Sequence, residues 1–131
     1  MQAEREEALS RLERLYNNLD AKMTRERYLE MCEQLGKKPD VNEIPPDVYD
    51  FPDIVQIAIT IYNTLGDRVY PDVGYTGKDY TNLPILLDIY GVEDVELCMD
   101  VLSFLDSRAI KISSDNLKKE REKLKRKSSG S

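Results

Sequence analysis

The chain has 131 residues and a mass of 15.1 kDa, and 40% of its residues are hydrophobic while 34% are charged. This length predicts one domain, and the composition predicts no membrane span because no apolar run approaches the roughly 18 residues that a span needs. With no histidine, the chain lacks the commonest general base, and its two cysteines alone cannot complete a zinc site of the usual kind. We therefore expect no cofactor and no metal.

The net charge of −6 is distributed unevenly. Residues 1–116 contain 12 basic and 23 acidic side chains, whereas residues 117–127 contain seven basic and two acidic ones. The acidic residues 1–116 favour basic protein surfaces and repel nucleic acid. Contact with nucleic acid or an acidic partner is therefore assigned to residues 117–127, the basic tail. A solvated helix end is the alternative interpretation. The basic tail residues are Lys118, Lys119, Arg121, Lys123, Lys125, Arg126 and Lys127.

The first third of the chain has the apolar spacing of two amphipathic helices. Leucines three and four residues apart predict a helix over residues 3–22, and a second stripe predicts a helix over residues 25–35. Thr24 is a favourable N-cap for the second helix and Gly36 is a favourable C-terminal stop. Because the second helix has its own start signal, we expect the first to be an extension that could support homo-oligomerisation.

Residues 37–51 are predicted to form a long loop, because three prolines exclude regular structure. Acidic and apolar side chains alternate irregularly along it. One interpretation is a loop held on the core by its apolar residues, with its acids in water. The other is an acidic-hydrophobic strip that docks on a basic partner. The partner-binding candidates in this loop are Asp40, Glu43, Asp47, Tyr49, Asp50 and Phe51.

The middle of the chain predicts a central helix and a second loop. Residues 53–65 are apolar around nearly the whole helical circumference, which is typical of a buried helix. Residues 66–82 show no helix or strand pattern, but their three tyrosines argue against disorder. We expect an ordered surface loop whose tyrosines cover the core with their hydroxyls in water. This loop adds Tyr75, Lys78 and Tyr80 to the partner-binding candidates.

The segment Gly74-Tyr-Thr-Gly77-Lys78-Asp79 superficially resembles a phosphate-binding loop. It lacks the four residues between the glycines and the Ser or Thr after the lysine that such a loop requires. The two glycines are instead expected to permit positive φ angles in tight turns.

The last third of the chain predicts two more helices. A short one covers residues 83–90, and a long one begins near Glu93 and continues, solvated, to about Lys127, which gives roughly 50 Å. The final Ser-Ser-Gly-Ser is expected to fray. Cys32 and Cys98 lie in apolar helical stripes and are expected to be buried and reduced.

These elements predict an all-α fold: a compact bundle of four to five helices with two long ordered loops and a long C-terminal helix. The predicted organisation is an N-terminal helical extension over residues 1–22, a helical core domain over 23–112 and a basic helical tail with a frayed terminus over 113–131.

Four segments carry a resemblance to a known group of proteins. They are Tyr28-Leu-Glu-Met-Cys-Glu-Gln-Leu-Gly36, Ile44-Pro-Pro, Asp50-Phe-Pro52 and Gly77-Lys-Asp-Tyr80. Over residues 24–112 the chain resembles small proteins encoded by tailed bacteriophages, especially those that infect marine bacteria. The resemblance implies a phage protein in the cytoplasm of an infected bacterium, with incorporation in the virion as the alternative. It assigns no catalytic residue.

The sequence favours a function without catalysis. Its paired carboxylates have no apolar surroundings that would raise a pKa for acid–base chemistry, and no nucleophile motif is present. We predict a phage-encoded protein-binding adaptor that acts on a host or phage protein in regulation or assembly. The alternatives are a structural virion component that oligomerises through its terminal helices and a weak nucleic-acid binder that uses the basic tail.

Overall fold

The computed structural model describes residues 2–129, and the chain divides into two compact units, Met1–Gln56 and Ile57–Ser131. The described residues contain five α-helices, two β-strands and one short 3-10 turn over Val48–Asp50. The helices are α1 (Gln2–Asp20), α2 (Arg25–Leu35), α3 (Asp53–Thr64), α4 (Leu83–Ile89) and α5 (Val95–Ser129), and the strands are β1 (Asp67–Tyr70) and β2 (Gly74–Lys78). The boundary between the units falls within α3.

The predicted helices are confirmed, with small differences at their ends. Helix α2 begins and ends as expected: the Thr24 hydroxyl accepts a hydrogen bond from the Arg27 amide, and Gly36 adopts a φ of 65°. Helix α5 has 35 residues, or about 50 Å, and reaches Ser129 rather than Lys127. The helix thus includes the first two residues of the terminal Ser-Ser-Gly-Ser, and residues 130 and 131 lie outside the described part of the chain, so fraying of this terminus stays a prediction.

The core of the first unit combines α1, α2 and the residues that lead into α3. Its buried apolar side chains are Leu12, Leu15, Cys32, Phe51 and Val55. Burial of side chains of this size provides most of the free energy that holds the helices together, at about 1.5–3 kcal/mol for each large apolar residue.

The core of the second unit lies between α3, α4 and α5. The buried side chains are Ala58, Ile61, Leu65, Leu83, Cys98, Val101, Leu102 and Leu105. In α5 they recur at intervals of three and four residues, so that one face of its first half is buried and the later turns are largely exposed. Both cysteines are buried and unpaired, as expected, and burial raises the pKa of the Cys98 thiol.

The prediction of a purely all-α fold is wrong, because residues 66–82 contain an antiparallel hairpin of β1 and β2. The register pairs Asp67 with Lys78 and Val69 with Tyr75, and an irregularity lies between Asp67 and Val69. The hairpin escapes sequence analysis because β1 is exposed along its whole length and two of the five β2 residues are glycines. Neither strand therefore shows the apolar–polar alternation of a half-buried strand. Mainly helical character is confirmed.

Both glycines of β2 have positive φ angles, 83° at Gly74 and 122° at Gly77, as expected. They also allow close approach to α5. A Cβ on Gly74 would lie 2.7 Å from Cδ1 of Leu117, and a Cβ on Gly77 would lie 3.2 Å from Oδ2 of Asp106. The absence of a side chain at these positions lets the strand backbone lie directly on the helix.

We predict that Gly74→Ala lowers the free energy of unfolding by about 1–3 kcal/mol, because alanine is strained at positive φ and its methyl group would displace Leu117. Urea denaturation followed by circular dichroism measures the change. Gly66→Ala is the matched control, since a Cβ at Gly66 has no neighbour within 4 Å. Equal stability of the two variants would contradict the assigned packing.

Candidate functional site

The second unit contains a buried cluster of polar side chains centred on Asp106 of α5. Its carboxylate is 8% exposed and accepts three hydrogen bonds: from the Tyr75 hydroxyl at 2.5 Å, the Tyr80 hydroxyl at 2.6 Å and the backbone amide of Lys78 at 3.2 Å. One helical side chain thus holds β2 and the residues that follow it. We call this set of contacts the Asp106 cluster.

Lys78 belongs to the same cluster and is only 9% exposed. Its ammonium donates to Oδ1 of Asp67 at 2.6 Å and to the carbonyl of Leu65 at 3.2 Å, and it lies 4.6 Å from the centre of the Tyr62 ring. The Tyr62 hydroxyl is 3.2 Å from that of Tyr75. The buried ammonium is therefore compensated by a carboxylate, a carbonyl and an aromatic face.

The electrostatics of the Asp106 cluster favour a fixed ionisation state. Burial opposes ionisation of Asp106, but the bonds from Tyr75, Tyr80 and the Lys78 amide, together with the Lys78 charge, outweigh it and hold the pKa of this carboxyl below its usual range. Burial and the bond to Asp106 raise the pKa values of both tyrosines. A carboxylate whose pKa is lowered and whose oxygens already accept three bonds is a poor general base, and its observed bonds connect α5 to β2 and to Tyr80.

The three binding candidates of the second loop are thus brought together. Tyr75 is half-buried, Lys78 is buried and Tyr80 is 36% exposed. The expectation that the loop tyrosines keep their hydroxyls in water is wrong for Tyr75 and Tyr80, because both hydroxyls donate to Asp106. A buried carboxylate that accepts hydrogen bonds destabilises the folded state less than a buried carboxylate without donors does.

Asp106 is not among the candidates predicted from the sequence, although the sequence contains a signal for it. The residue follows Leu102 by four positions and precedes Ala109 by three, so it lies on the apolar face of the long helix. A single charged residue on such a face requires hydrogen-bonding partners, and the nearby tyrosines are suitable donors.

In the first unit, the acidic side chains of residues 37–51 make local bonds. Asp47 and Asp50 form a reciprocal capping box around the 3-10 turn: Asp47 accepts from the Tyr49 amide at 3.2 Å, and Asp50 accepts from the Asp47 amide at 3.1 Å. Asp40 accepts from the Asn42 amide at 2.9 Å. The bond from the Asp47 amide and the neighbouring Arg25 guanidinium outweigh desolvation and lower the pKa of Asp50.

The remaining candidates of this loop differ in exposure. Glu43 lies 3.4 Å from the Tyr28 hydroxyl, at the outer limit of a hydrogen bond. Tyr49 is 83% exposed, whereas Phe51 is 4% exposed. The guanidinium carbon of Arg11 lies over the Phe51 ring, 5.5 Å from the centre of the ring. Val41, which sequence analysis did not select, is 82% exposed. The loop therefore presents two large apolar side chains to solvent and buries a third.

Beside this loop the first unit has a groove with a volume of about 440 Å³, which we call the arginine groove. Its walls combine three guanidiniums, one carboxylate and four apolar side chains. They are Arg11, Arg14, Arg25, Leu29, Val41, Ile44, Pro46 and Asp50. The groove is not predictable from a sequence motif, because its residues come from α1, α2 and the loop.

Two of the three arginines are fixed by backbone carbonyls of the loop. Nη2 of Arg14 donates to the carbonyl of Asn42 at 2.9 Å and lies 3.4 Å from that of Ile44, while Nε of Arg25 donates to Pro45 at 3.2 Å. Arg25 also pairs with the carboxylate of Asp50. In a helix or a sheet, the carbonyls of Pro45 and its neighbours would accept hydrogen bonds from backbone amides. In this loop they accept hydrogen bonds from arginine side chains instead.

The basic side chains of residues 117–127 lie on the exposed second half of α5. Arg121 donates a hydrogen bond to the Asp72 carbonyl at 3.0 Å and so ties this part of the helix to the turn between β1 and β2. Contact of the tail with nucleic acid or an acidic partner stays a prediction.

No family model, curated protein or solved structure matches this chain significantly. The resemblance to phage proteins therefore stays a prediction. None of the helices within residues 2–129 combines the length and apolar composition that crossing a bilayer requires. The same residues contain no cluster of three or more His, Cys, Asp or Glu side chains suited to hold a metal ion.

We predict that Asp106→Asn lowers the free energy of unfolding by about 2–4 kcal/mol, because the amide group would oppose one of the donors that face it and the ionic hydrogen bonds would be lost. Thermal and urea unfolding provide the measurement. Asp115→Asn, on the exposed part of α5, is the control and should change stability by less than about 0.5 kcal/mol.

The same carboxylate gives a pH dependence of defined sign. Because the folded-state pKa of Asp106 is lowered, its contribution to stability is complete above the ordinary aspartate value, near 3.8, and is lost as the pH falls through the folded value. Stability of the wild type should therefore fall more steeply below about pH 4 than that of Asp106→Asn. Parallel acid unfolding curves for the two proteins would contradict the assignment.

Proposed function

We propose that this chain is a non-enzymatic protein-binding adaptor that contacts its partner through residues 37–51. The observation that carries the proposal is the exposure of Tyr49 on a fixed turn. Its side chain is 83% exposed, while its backbone belongs to the turn whose N-terminal end is closed by the reciprocal bonds of Asp47 and Asp50. Tyrosine is enriched among residues that dominate binding energy, and a fixed backbone reduces the entropy lost on association.

A second exposed apolar side chain supports the same surface. Val41 is 82% exposed, and the backbone beside it is ordered by bonds to the Asp40 carbonyl from the amides of Glu43 and Ile44, at 2.9 and 3.1 Å. An ordered loop that presents both an aromatic and a branched aliphatic side chain is typical of a contact surface.

The internal bonds of the buried ionisable groups support the non-enzymatic part of this proposal. The Tyr75 and Tyr80 hydroxyls donate to Asp106, and the Lys78 ammonium donates to Asp67, so each of these groups already has an internal partner and a low capacity for proton transfer. The proposed context is an infected bacterial cell, with a host or phage protein as partner and regulation or assembly as the role. This context follows from the resemblance of residues 24–112 to phage proteins.

We predict that Tyr49→Ala weakens binding to the partner by about fivefold or more, because truncation removes an exposed aromatic anchor without disturbing the core. The tagged chain is first used to capture proteins from infected and uninfected bacterial lysates. Affinity for each purified candidate is then measured by calorimetry with the wild type and the variant.

Tyr70→Ala is the matched control, because Tyr70 is an exposed tyrosine of β1 in the other unit, with 49% of its surface accessible. Circular dichroism verifies that both variants fold. A partner whose affinity is unchanged by Tyr49→Ala, or reduced equally by both substitutions, would argue against the 37–51 surface.

A further inference from the structure

The arginine groove concentrates positive charge in an acidic part of the molecule. Residues 1–56 contain 13 acidic and eight basic side chains, a net charge of −5, yet three of the eight lie around one groove. Asp50 is the carboxylate among the lining residues, so the lining carries a surplus of two positive charges. Because the three guanidiniums repel one another, binding of a negatively charged ligand among them is favourable.

The guanidiniums are pre-organised for this ligand. Internal bonds use Nη2 of Arg14 and both Nε and Nη2 of Arg25, and the guanidinium carbon of Arg11 lies over the ring of Phe51. A guanidinium has five N–H donors in a fixed fork, so these contacts hold it in place and leave further donors for a carboxylate. Side chains fixed before binding lose little entropy on association.

The apolar lining restricts the ligand further. Leu29, Val41, Ile44 and Pro46 form part of the walls, so a ligand that fills the groove brings apolar surface beside its charge. The carboxylate of Asp50 and the net charge of this unit oppose dense polyanions such as nucleic acid. A peptide that alternates acidic and aliphatic residues meets both conditions.

We propose that the arginine groove binds an acidic-aliphatic peptide segment of the protein partner, with its carboxylates on Arg11 and Arg14 and an aliphatic side chain against Leu29 and Ile44. This inference rests on the proposed protein-binding function and specifies the chemistry of the segment recognised. The adaptor then has two contacts with its partner: Tyr49 on the capped turn and the arginine groove beside it.

The test is fluorescence anisotropy with a fluorescein-labelled, C-terminally amidated probe peptide of sequence Ser-Glu-Leu-Glu-Leu-Ser and the full chain. We expect saturable binding that weakens about threefold or more for Arg11→Gln or Arg14→Gln and about tenfold for the double variant. Arg27→Gln is the matched control, because Arg27 belongs to α2 but does not line the groove. It should bind as the wild type does.

Two further probes identify the ligand chemistry. The peptide with Gln in place of Glu should bind about tenfold more weakly, and inorganic phosphate should displace the acidic peptide no better than chloride at the same ionic strength. Equal affinity for the Glu and Gln peptides would overturn the inference. Efficient displacement by phosphate would also overturn it, because the groove would then be a site for small anions.

The outcomes separate this inference from the proposed function. If the folded wild type does not bind the probe peptide, the groove assignment fails, while capture of a partner that depends on Tyr49 is unaffected. Tyr49→Ala should keep the peptide affinity, because Tyr49 does not line the groove. Since Arg14 also holds loop carbonyls, Arg11→Gln keeps the test decisive if Arg14→Gln impairs folding.

Discussion

The carboxylate of Asp106 determines how the second unit is built. A two-stranded hairpin is marginal by itself in water, so β1 and β2 depend on packing against α5. The amide of Tyr75 donates to the Ser113 hydroxyl and the amide of Lys78 donates to Asp106, at 3.2 Å each. Seven helical residues rise about 10.5 Å and three strand residues span about 10 Å, so these two bonds match in spacing. Both bonds require the backbone of β2 to lie close to α5, and Gly74 and Gly77 permit this close approach.

The first unit is held together by the same principle with the charges reversed. In the second unit a helical carboxylate accepts bonds from a strand and its tyrosines, whereas in the first unit helical arginines donate bonds to loop carbonyls. A proline-rich loop cannot satisfy its carbonyls through a helix or sheet, and Arg14 and Arg25 supply the missing donors. The loop is therefore ordered without regular structure, and its exposed side chains have defined positions.

The elements that follow from local patterns could be predicted from the sequence, and those that depend on distant partners could not. The five helices follow from apolar spacing, and the ends of α2 follow from Thr24 and Gly36. The hairpin was missed because its strands are stabilised by α5 rather than by an alternating pattern of their own. The arginine groove was missed for a related reason: its charged residues are separated by up to 39 positions, from Arg11 to Asp50, and become neighbours only in the fold.

The acidic loop shows why charge in a sequence does not by itself locate a binding surface. The sequence pattern of Asp40, Asp47 and Asp50 predicts an acidic strip that attracts a basic partner. In the structure each of these carboxylates accepts a hydrogen bond from a nearby backbone amide. A carboxylate used as a cap is held in place and partly neutralised by its donors, so it contributes less to recognition than a free one. The arginines have the opposite relation to the backbone, because they bond carbonyls through some of their donors and keep others. The loop that bonds its acidic groups internally thus also fixes the guanidiniums of Arg14 and Arg25 through its carbonyls, and the proposed recognition depends on the donors that this internal bonding does not use.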